Sequence, residues 1–552
     1  MDDGPLTRDR RLIPHGMNAY RFLLLAPLVA TALPAAAQER LPNLTPAVVT
    51  VVGSAEGEAA LPPVERQPLS GFGPPPRTYV VPAEREATVG PYAPDLATLG
   101  APALPAPTPP PLSLEAGRYG RVAAGGGRFA SIFGRVDLSI PTGPGALVAD
   151  VDYDGLGLEI GDADHVEYAR LHGSAAWRGA GRVRPQAEVG LLFDRYSLPG
   201  AGIGSVRRVT GFRVGAGVEG TASGVDFGGA LRYAGTRLGA DNVAGGIDEG
   251  RFDAEARLGI GIIALDGAVG TAGRDGPGDD LVDFAAGGAL RLGRPGGARL
   301  TVGARALGYE ASPANGSGSS TVVAPTFIAE VPMGPTATLF ARTEGRLTRR
   351  GLADLLLENP FVVDAPTLAP DVRQFDGAAG VEVRSGAIGL RLAAEGAYAP
   401  TYAIFDRSPG GLYAVSYERA RILGGAADIT ITAPSGAEAS VGVAFRSGAL
   451  TEAGDDIPLF APVVGHAGVQ VPLPNDRGRV GLSGAFYGPR PTDRFGTSTL
   501  PAAGTLTFEG LVRVAGRMGV MLRAERLLGP AEHWQGFPQA PFTVQLGAQL
   551  VW

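Results

Sequence analysis

The 552-residue chain predicts an all-β fold: a transmembrane antiparallel β-barrel of about 16–22 strands, with a Pro-rich extended segment in front of it. Three observations predict it. Apart from one short stretch near the N-terminus, no uninterrupted apolar run approaches the roughly 18 residues that a membrane helix needs. From about Ala116 onward, apolar side chains recur at every second position in segments bounded by Gly, Pro, Asp and Asn. The final strand keeps that alternation up to an aromatic residue, Trp552.

Composition narrows the class. The chain holds 84 Gly and 47 Pro with only 19% charged residues and no Gly-X-Y period, which excludes collagen and an acidic disordered protein. Mean hydropathy is +0.10, as befits strands in which every second residue faces lipid. A net charge of −7 leaves no basic surface for phosphates, so no nucleic-acid partner is expected. All 48 basic residues are Arg, which either base composition or a need for guanidinium chemistry explains. The absence of Cys removes disulfides, thiolate metal sites, cysteine nucleophiles and a lipoprotein anchor.

The first element is residues 1–37, read as an export signal. Met17 offers a second start, Arg21 precedes an apolar stretch from Phe22 to Leu33, and Ala35-Ala36-Ala37 provides the small-residue cleavage site before Gln38. Residues 38–115 form the second element. The stretch 61–111 alone contains 15 Pro, so it cannot pair as a central strand or continue a helix. It reads as an extended periplasmic segment, serving as a spacer, a docking strand or a lumen insert.

Residues 116–552 are the third element, the barrel. Ile388, Leu390, Leu392, Ala394, Gly396 and Tyr398 share one face of a strand, and Gly389, Arg391, Ala393 and Glu395 share the other. Leu506 to Val514 and Val480 to Phe486 repeat the arrangement. One face suits lipid and the other a wet or ion-paired lumen, and only a closed sheet satisfies its backbone in a bilayer. At roughly 20 residues per strand and turn, the length fits about 22 strands. Longer polar gaps at Gly239–Gly250, Ala311–Ser320, Arg349–Pro370 and Gly488–Gly504 mark the loops expected to face outward. The closing strand carries Phe542, Val544, Leu546, Ala548, Leu550 and Trp552 on one face. A terminal aromatic on such a strand resembles the signal read by the barrel-assembly machinery. Together these features place the chain in the outer membrane of a Gram-negative bacterium, in contact with its lipid.

Two places resemble TonB-dependent receptors. Val48, Val49, Thr50, Val51 and Val52, followed by Gly53, resemble a TonB box, which pairs with a strand of an energising periplasmic protein. Leu527-Leu528-Gly529, Trp534 to Pro538 and the run to Trp552 resemble the receptor's final hairpin, with Arg526 where the family usually has Asn. Leu356, Asn359, Pro360 and Phe361 resemble an extracellular-loop pattern of plugless receptor-like barrels. The resemblance implies a barrel for passage or binding of small solutes, with a TonB-like partner. A receptor of that family carries a globular plug ahead of its barrel, where this chain offers only the Pro-rich segment.

Other motifs carry little chemistry. Gly215 to Gly220 matches GxGxxG, but no βαβ unit surrounds it, so it reads as a strand of small residues. Asp150, Asp152, Asp154 and Gly155 open like a calcium loop, yet Gly161 occupies the twelfth position; the three Asp read as a lumen stripe or a weak cation site. His165, His172, His466 and His533 show no HExxH spacing, and no nucleophile elbow is present, so neither enzyme activity nor a cofactor or metal is expected. The candidate functional residues are inward charges: Arg342, Glu344, Arg346, Glu382, Arg384, Arg391, Glu395, Glu509, Arg513, Arg523 and Glu525. They read either as paired ladders that narrow a pore or as structural neutralisation inside a filled barrel. The rival functional readings are an anchor for a Pro-rich periplasmic arm and an outer-membrane enzyme built from separate strands.

Overall fold

The computed structural model describes residues 119–128, 131–143, 145–160, 164–198, 206–240, 246–274, 280–294, 297–311, 318–408, 411–452, 454–529, 532–534, 537–538 and 542–551. The expected export signal, the Pro-rich segment, the Val48–Val52 stretch and Trp552 lie outside them.

Alternation along the chain becomes a closed antiparallel barrel of 22 strands. Each strand pairs with its sequence neighbours, and the first, Tyr119–Gly127, closes the ring against the last, Phe542–Val551, in the register Ala124↔Ala548. Closure removes the edges that an open sheet would expose to hydrocarbon. The strand Val183–Ser197 shows the physical logic: Val189, Leu191 and Phe193 are exposed on the outer surface, while Asp194 and Tyr196 are buried on the inner side. Large exposed apolar residues recur around the ring, from Phe212 and Leu231 to Leu423, Leu482 and Leu546. That is the outer skin a bilayer requires.

Two rims differ in their connections. Tight turns join the strands at one rim; Ser223 and Gly224, with φ of 51° and 79°, form the two-residue turn between Val206–Ala222 and Val225–Ala240. Both positions need a positive φ, which matches the right-handed twist of the flanking strands. The four long polar gaps of the sequence all fall at the opposite rim. The GxGxxG match lies inside the strand Val206–Ala222, as its lack of a βαβ unit implied.

The buried apolar core sits at the long-loop rim. The segment after Arg349 lies at this rim, as its length implied, and its residues join the core at the barrel mouth. The strand Ala337–Thr343 ends its wall pairing at Thr343↔Phe327. Past Thr343 the register shifts by one residue, and Arg346–Thr348 pairs with Asp371–Arg373, which pairs in turn with Thr401 of the strand Ile388–Arg407 and leads into the wall strand Phe375–Ser385.

Candidate functional site

The inward loop carries one short helix, α1 (Leu352–Glu358). Leu352, Leu355 and Leu356 fall at i, i+3 and i+4, so one face of the helix is apolar, and all three are buried. Asn359 and Pro360 end it. Seven residues are too few to hold a helix in water, so this one depends on what it packs against. The Asp354 carboxylate accepts a hydrogen bond from Gly351 N at 2.8 Å, and Glu249 in the wall accepts one from Leu352 N at 2.7 Å.

The loop is pinned to opposite walls. On the strand Val206–Ala222, the fully buried Arg207 donates from Nη1 to the carbonyls of Pro360 (2.8 Å) and Val362 (2.7 Å), and Nη2 meets Asp364 at 2.6 Å. Val362 also bridges to Tyr413 at the start of the strand Tyr413–Thr432, where Val363 N donates to Tyr413 O at 2.8 Å and Tyr413 N to Phe361 O at 2.8 Å. These two strands stand on opposite sides of the ring. The segment 360–364 therefore spans the mouth. Val209 and Leu238 from one wall, Phe405 and Val415 from the other, and Leu355 and Val362 from the loop form one apolar cluster. Each fully buried side chain of that size contributes about 1.5–3 kcal/mol.

Charge holds the base of the loop. Arg350 pairs with Asp371 at 2.7 Å and with Glu358. Burial works against the Arg350 charge, but Asp371 and Glu358 outweigh it and keep the guanidinium above its ordinary pKa. Arg349 reaches Asp283 and, at 3.4 Å, Asp253; Arg251 pairs with Asp253 at 3.0 Å; Arg274 donates to Pro366 O at 2.7 Å.

Toward the tight-turn rim the inner wall is lined with ion pairs, and several candidate charges meet there. Arg391 lies 3.8 Å from Glu382, which also neighbours Arg384 at 4.0 Å. Arg523 lies 3.6 Å from Glu509 and 3.9 Å from Glu525. Arg342 and Arg391 both stand over the Phe340 ring, at 5.7 and 5.2 Å to its centroid. Glu395 meets Arg446 at 3.4 Å, and Glu344 meets Arg305 at 3.0 Å, partners that the sequence reading did not single out. Arg513 lies on the same strand as Glu509, two rungs away. Arg346 lies opposite Arg373, beyond the register shift that follows Thr343. The acidic stripe is also ion-paired: Asp152 lies 3.4 Å from Arg135, and Asp150 accepts a hydrogen bond from Ser174.

Sequence reasoning missed Arg305, which holds Asp266 at 2.6 Å as well as Glu344, and Arg232, which bridges Glu188 and Glu255 at 3.0 Å each. The alternation that located Arg391 would have found both. No such signal exists for Arg207, whose importance comes from a loop about 155 residues away.

No family model and no curated protein matches the chain. Solved structures do. The copper transporter OprC is 12% identical, with 79% of this chain and 80% of that one covered at a TM-score of 0.59. The FrpB iron transporter of Neisseria meningitidis is 11% identical over 80% and 82%, at 0.58. The alcaligin outer-membrane receptor FauA of Bordetella pertussis is 13% identical over 79% and 76%, at 0.54. At such identities the likeness shows the fold alone: a large antiparallel β-barrel, here of 22 strands.

Proposed function

We propose that this barrel passes small solutes across the outer membrane and that the loop between Arg349 and Asp371 is the closure of its outward mouth. The observation that carries the reading is the pinning of segment 360–364 to opposite walls, by Arg207 on one side and Tyr413 on the other. A barrel that served only as an anchor has no need for a helix, an apolar cluster and buried guanidinium contacts across its opening. The fold shared with proteins named as receptors and transporters supports the same reading.

Below the closure, the charge ladder supplies a polar surface whose paired Arg and carboxylates orient a passing solute without fixing it. The Val48–Val52 stretch is the candidate contact for an energising periplasmic protein.

The test is conductance in planar bilayers. Purified wild-type protein should show a low and intermittent current, and protein in which residues 352–366 are replaced by a short Gly-Ser linker should show a steady one. Absence of current from both, with correctly folded barrel, would overturn the passage reading.

A further inference from the structure

A second loop reaches the mouth. Between the wall strands Gly478–Tyr487 and Ala503–Ala515 the chain forms a small hairpin, in which Arg490–Pro491 pairs with Thr499–Leu500. It is docked on its neighbours: Leu459 N donates to Pro491 O at 2.7 Å and Asp456 N to Arg494 O at 3.0 Å, while Leu459 and Leu500 join the same buried cluster as Leu355 and Val362. The Arg494 guanidinium reaches Asp406 at 2.5 Å and Glu418 at 2.9 Å, near the rim ends of the strands Ile388–Arg407 and Tyr413–Thr432. The hairpin therefore lies over the closed mouth, away from the lipid-facing skin.

Its tip presents an aromatic ring. Phe495 is 73% exposed, more than any other large apolar side chain among the described residues. The next most exposed, Leu191, Val323 and Leu423, lie on the outer face of wall strands, where lipid covers them; Phe495 has no such cover. The tip is held in place all the same, because the Asp493 carboxylate accepts hydrogen bonds from Phe495 N (2.9 Å), Thr497 N (3.1 Å), Ser498 N (3.1 Å) and Thr497 Oγ1 (2.8 Å). Keeping the ring in water costs free energy that a flat apolar ligand would recover.

Beside the ring lies a cavity of about 520 Å³, lined on one side by Asp493, Arg494, Phe495 and Ser498 of the hairpin and on the other by Asp406 and Arg407 of the wall. That size suits a small organic molecule. Most of its charges are already engaged, Arg494 with Asp406 and Asp493 with its own tip. Arg407 is the exception: its side chain is exposed and makes no ion pair or hydrogen bond among the described residues. Phe405, two residues earlier on the same face, belongs to the cluster that seats the loop, so Arg407 stands just outside the closure.

Resting on the closure reading above, we propose that this cavity is the outward receiving site of the barrel and that it takes a flat apolar anion, an aryl carboxylate. The ring of the ligand stacks on Phe495, and its carboxylate meets the Arg407 guanidinium, whose planar fork matches a carboxylate in two parallel hydrogen bonds. A cationic solute meets no free acid here, since Asp406 and Asp493 are already paired. A neutral solute leaves the guanidinium unused.

Titration of the purified full-length barrel in detergent with naphthoate, followed by the probe's fluorescence anisotropy, tests the site. Wild type should bind it saturably. R407Q and F495A should each weaken binding about tenfold, the size of one charge-assisted or stacking contact. Uncharged naphthamide should bind wild type and R407Q alike, and F495A more weakly. Unchanged heat-modifiable migration shows that each variant keeps its barrel. No saturable binding to wild type, or binding that neither substitution weakens, would overturn the site. Weakening by F495A alone, with acid and amide bound equally well, would overturn the anion chemistry and leave Phe495 an apolar patch. The readout uses neither current nor loop replacement. Naphthoate binding by a barrel that passes no current would defeat only the passage reading, and a conducting barrel that binds no naphthoate would defeat only this site.

Discussion

Arg350 and Asp371 lie at the two ends of the inward loop, 21 residues apart, and their side chains meet at 2.7 Å with both residues buried. The pair fastens the base of the loop as a clasp fastens a ring. The other carboxylate oxygen of Asp371 accepts a hydrogen bond from Ala403 N at 2.8 Å, which ties the clasp to the wall. Removing one partner of a buried pair typically costs about 3–5 kcal/mol, because the other charge stays behind without compensation. Asp371→Asn should therefore loosen the loop while leaving the barrel closed. Limited proteolysis should cut the variant between residues 352 and 366 much faster than the wild type, with unchanged heat-modifiable migration of the barrel. Equal protease resistance would show that the clasp holds nothing.

Arg207 gives a sharper test of chemistry. Its guanidinium reaches two carbonyls and one carboxylate at once, which a lysine ammonium on a flexible stem does not reproduce. Hydrogen bonds involving a charged group contribute about 1.5–3 kcal/mol each. Both Arg207→Lys and Arg207→Met should raise the open fraction of single-channel recordings, Met more than Lys. If Lys matched wild type, the bidentate geometry would be irrelevant and charge alone would hold the loop.

Much of the wall was legible in the sequence because a barrel strand obeys one rule, alternation, and obeys it locally. Leu392 and Arg391 announce opposite faces with no knowledge of the rest of the chain. The long gaps likewise announced which rim they occupy. What alternation cannot report is where a loop goes. Arg349 to Pro370 looks like other polar gaps, and its inward course follows from pairings such as Arg207 with Val362 that bring together distant parts of the chain. Arg346 shows the same limit. It continues the Arg342 and Glu344 pattern, yet the pairing shifts by one residue between Thr343↔Gly377 and Arg346↔Arg373, a change of register that alternation along one strand does not report.

The charge ladder should set ion selectivity. Arg391 and Arg305 present guanidinium groups on the inner wall, each beside carboxylates that would remain after substitution. Arg391→Gln and Arg305→Gln together should shift the reversal potential of the loop-replaced barrel in a KCl gradient toward cations. No shift would mean that permeating ions do not meet this face, and the ladder would then be structural neutralisation only.

The assignment of faces has its own test on a single strand. On Ile388–Arg407, Leu392 is 43% exposed on the outer surface, between Ile388 and Tyr398, whereas the next residue, Ala393, faces inward between Arg391 and Glu395. A guanidinium facing hydrocarbon near mid-membrane costs about 2–4 kcal/mol, while the same group on a wet inner wall beside a carboxylate costs far less. Leu392→Arg should therefore lower the unfolding free energy in lipid vesicles by that amount, and Ala393→Arg should leave it nearly unchanged. Urea titration followed by tryptophan fluorescence reads the difference, since Trp177 lies in a wall strand. Equal costs at the two positions would mean that the outer surface of this strand does not meet lipid, and the membrane-spanning reading of the whole cylinder would fail with it.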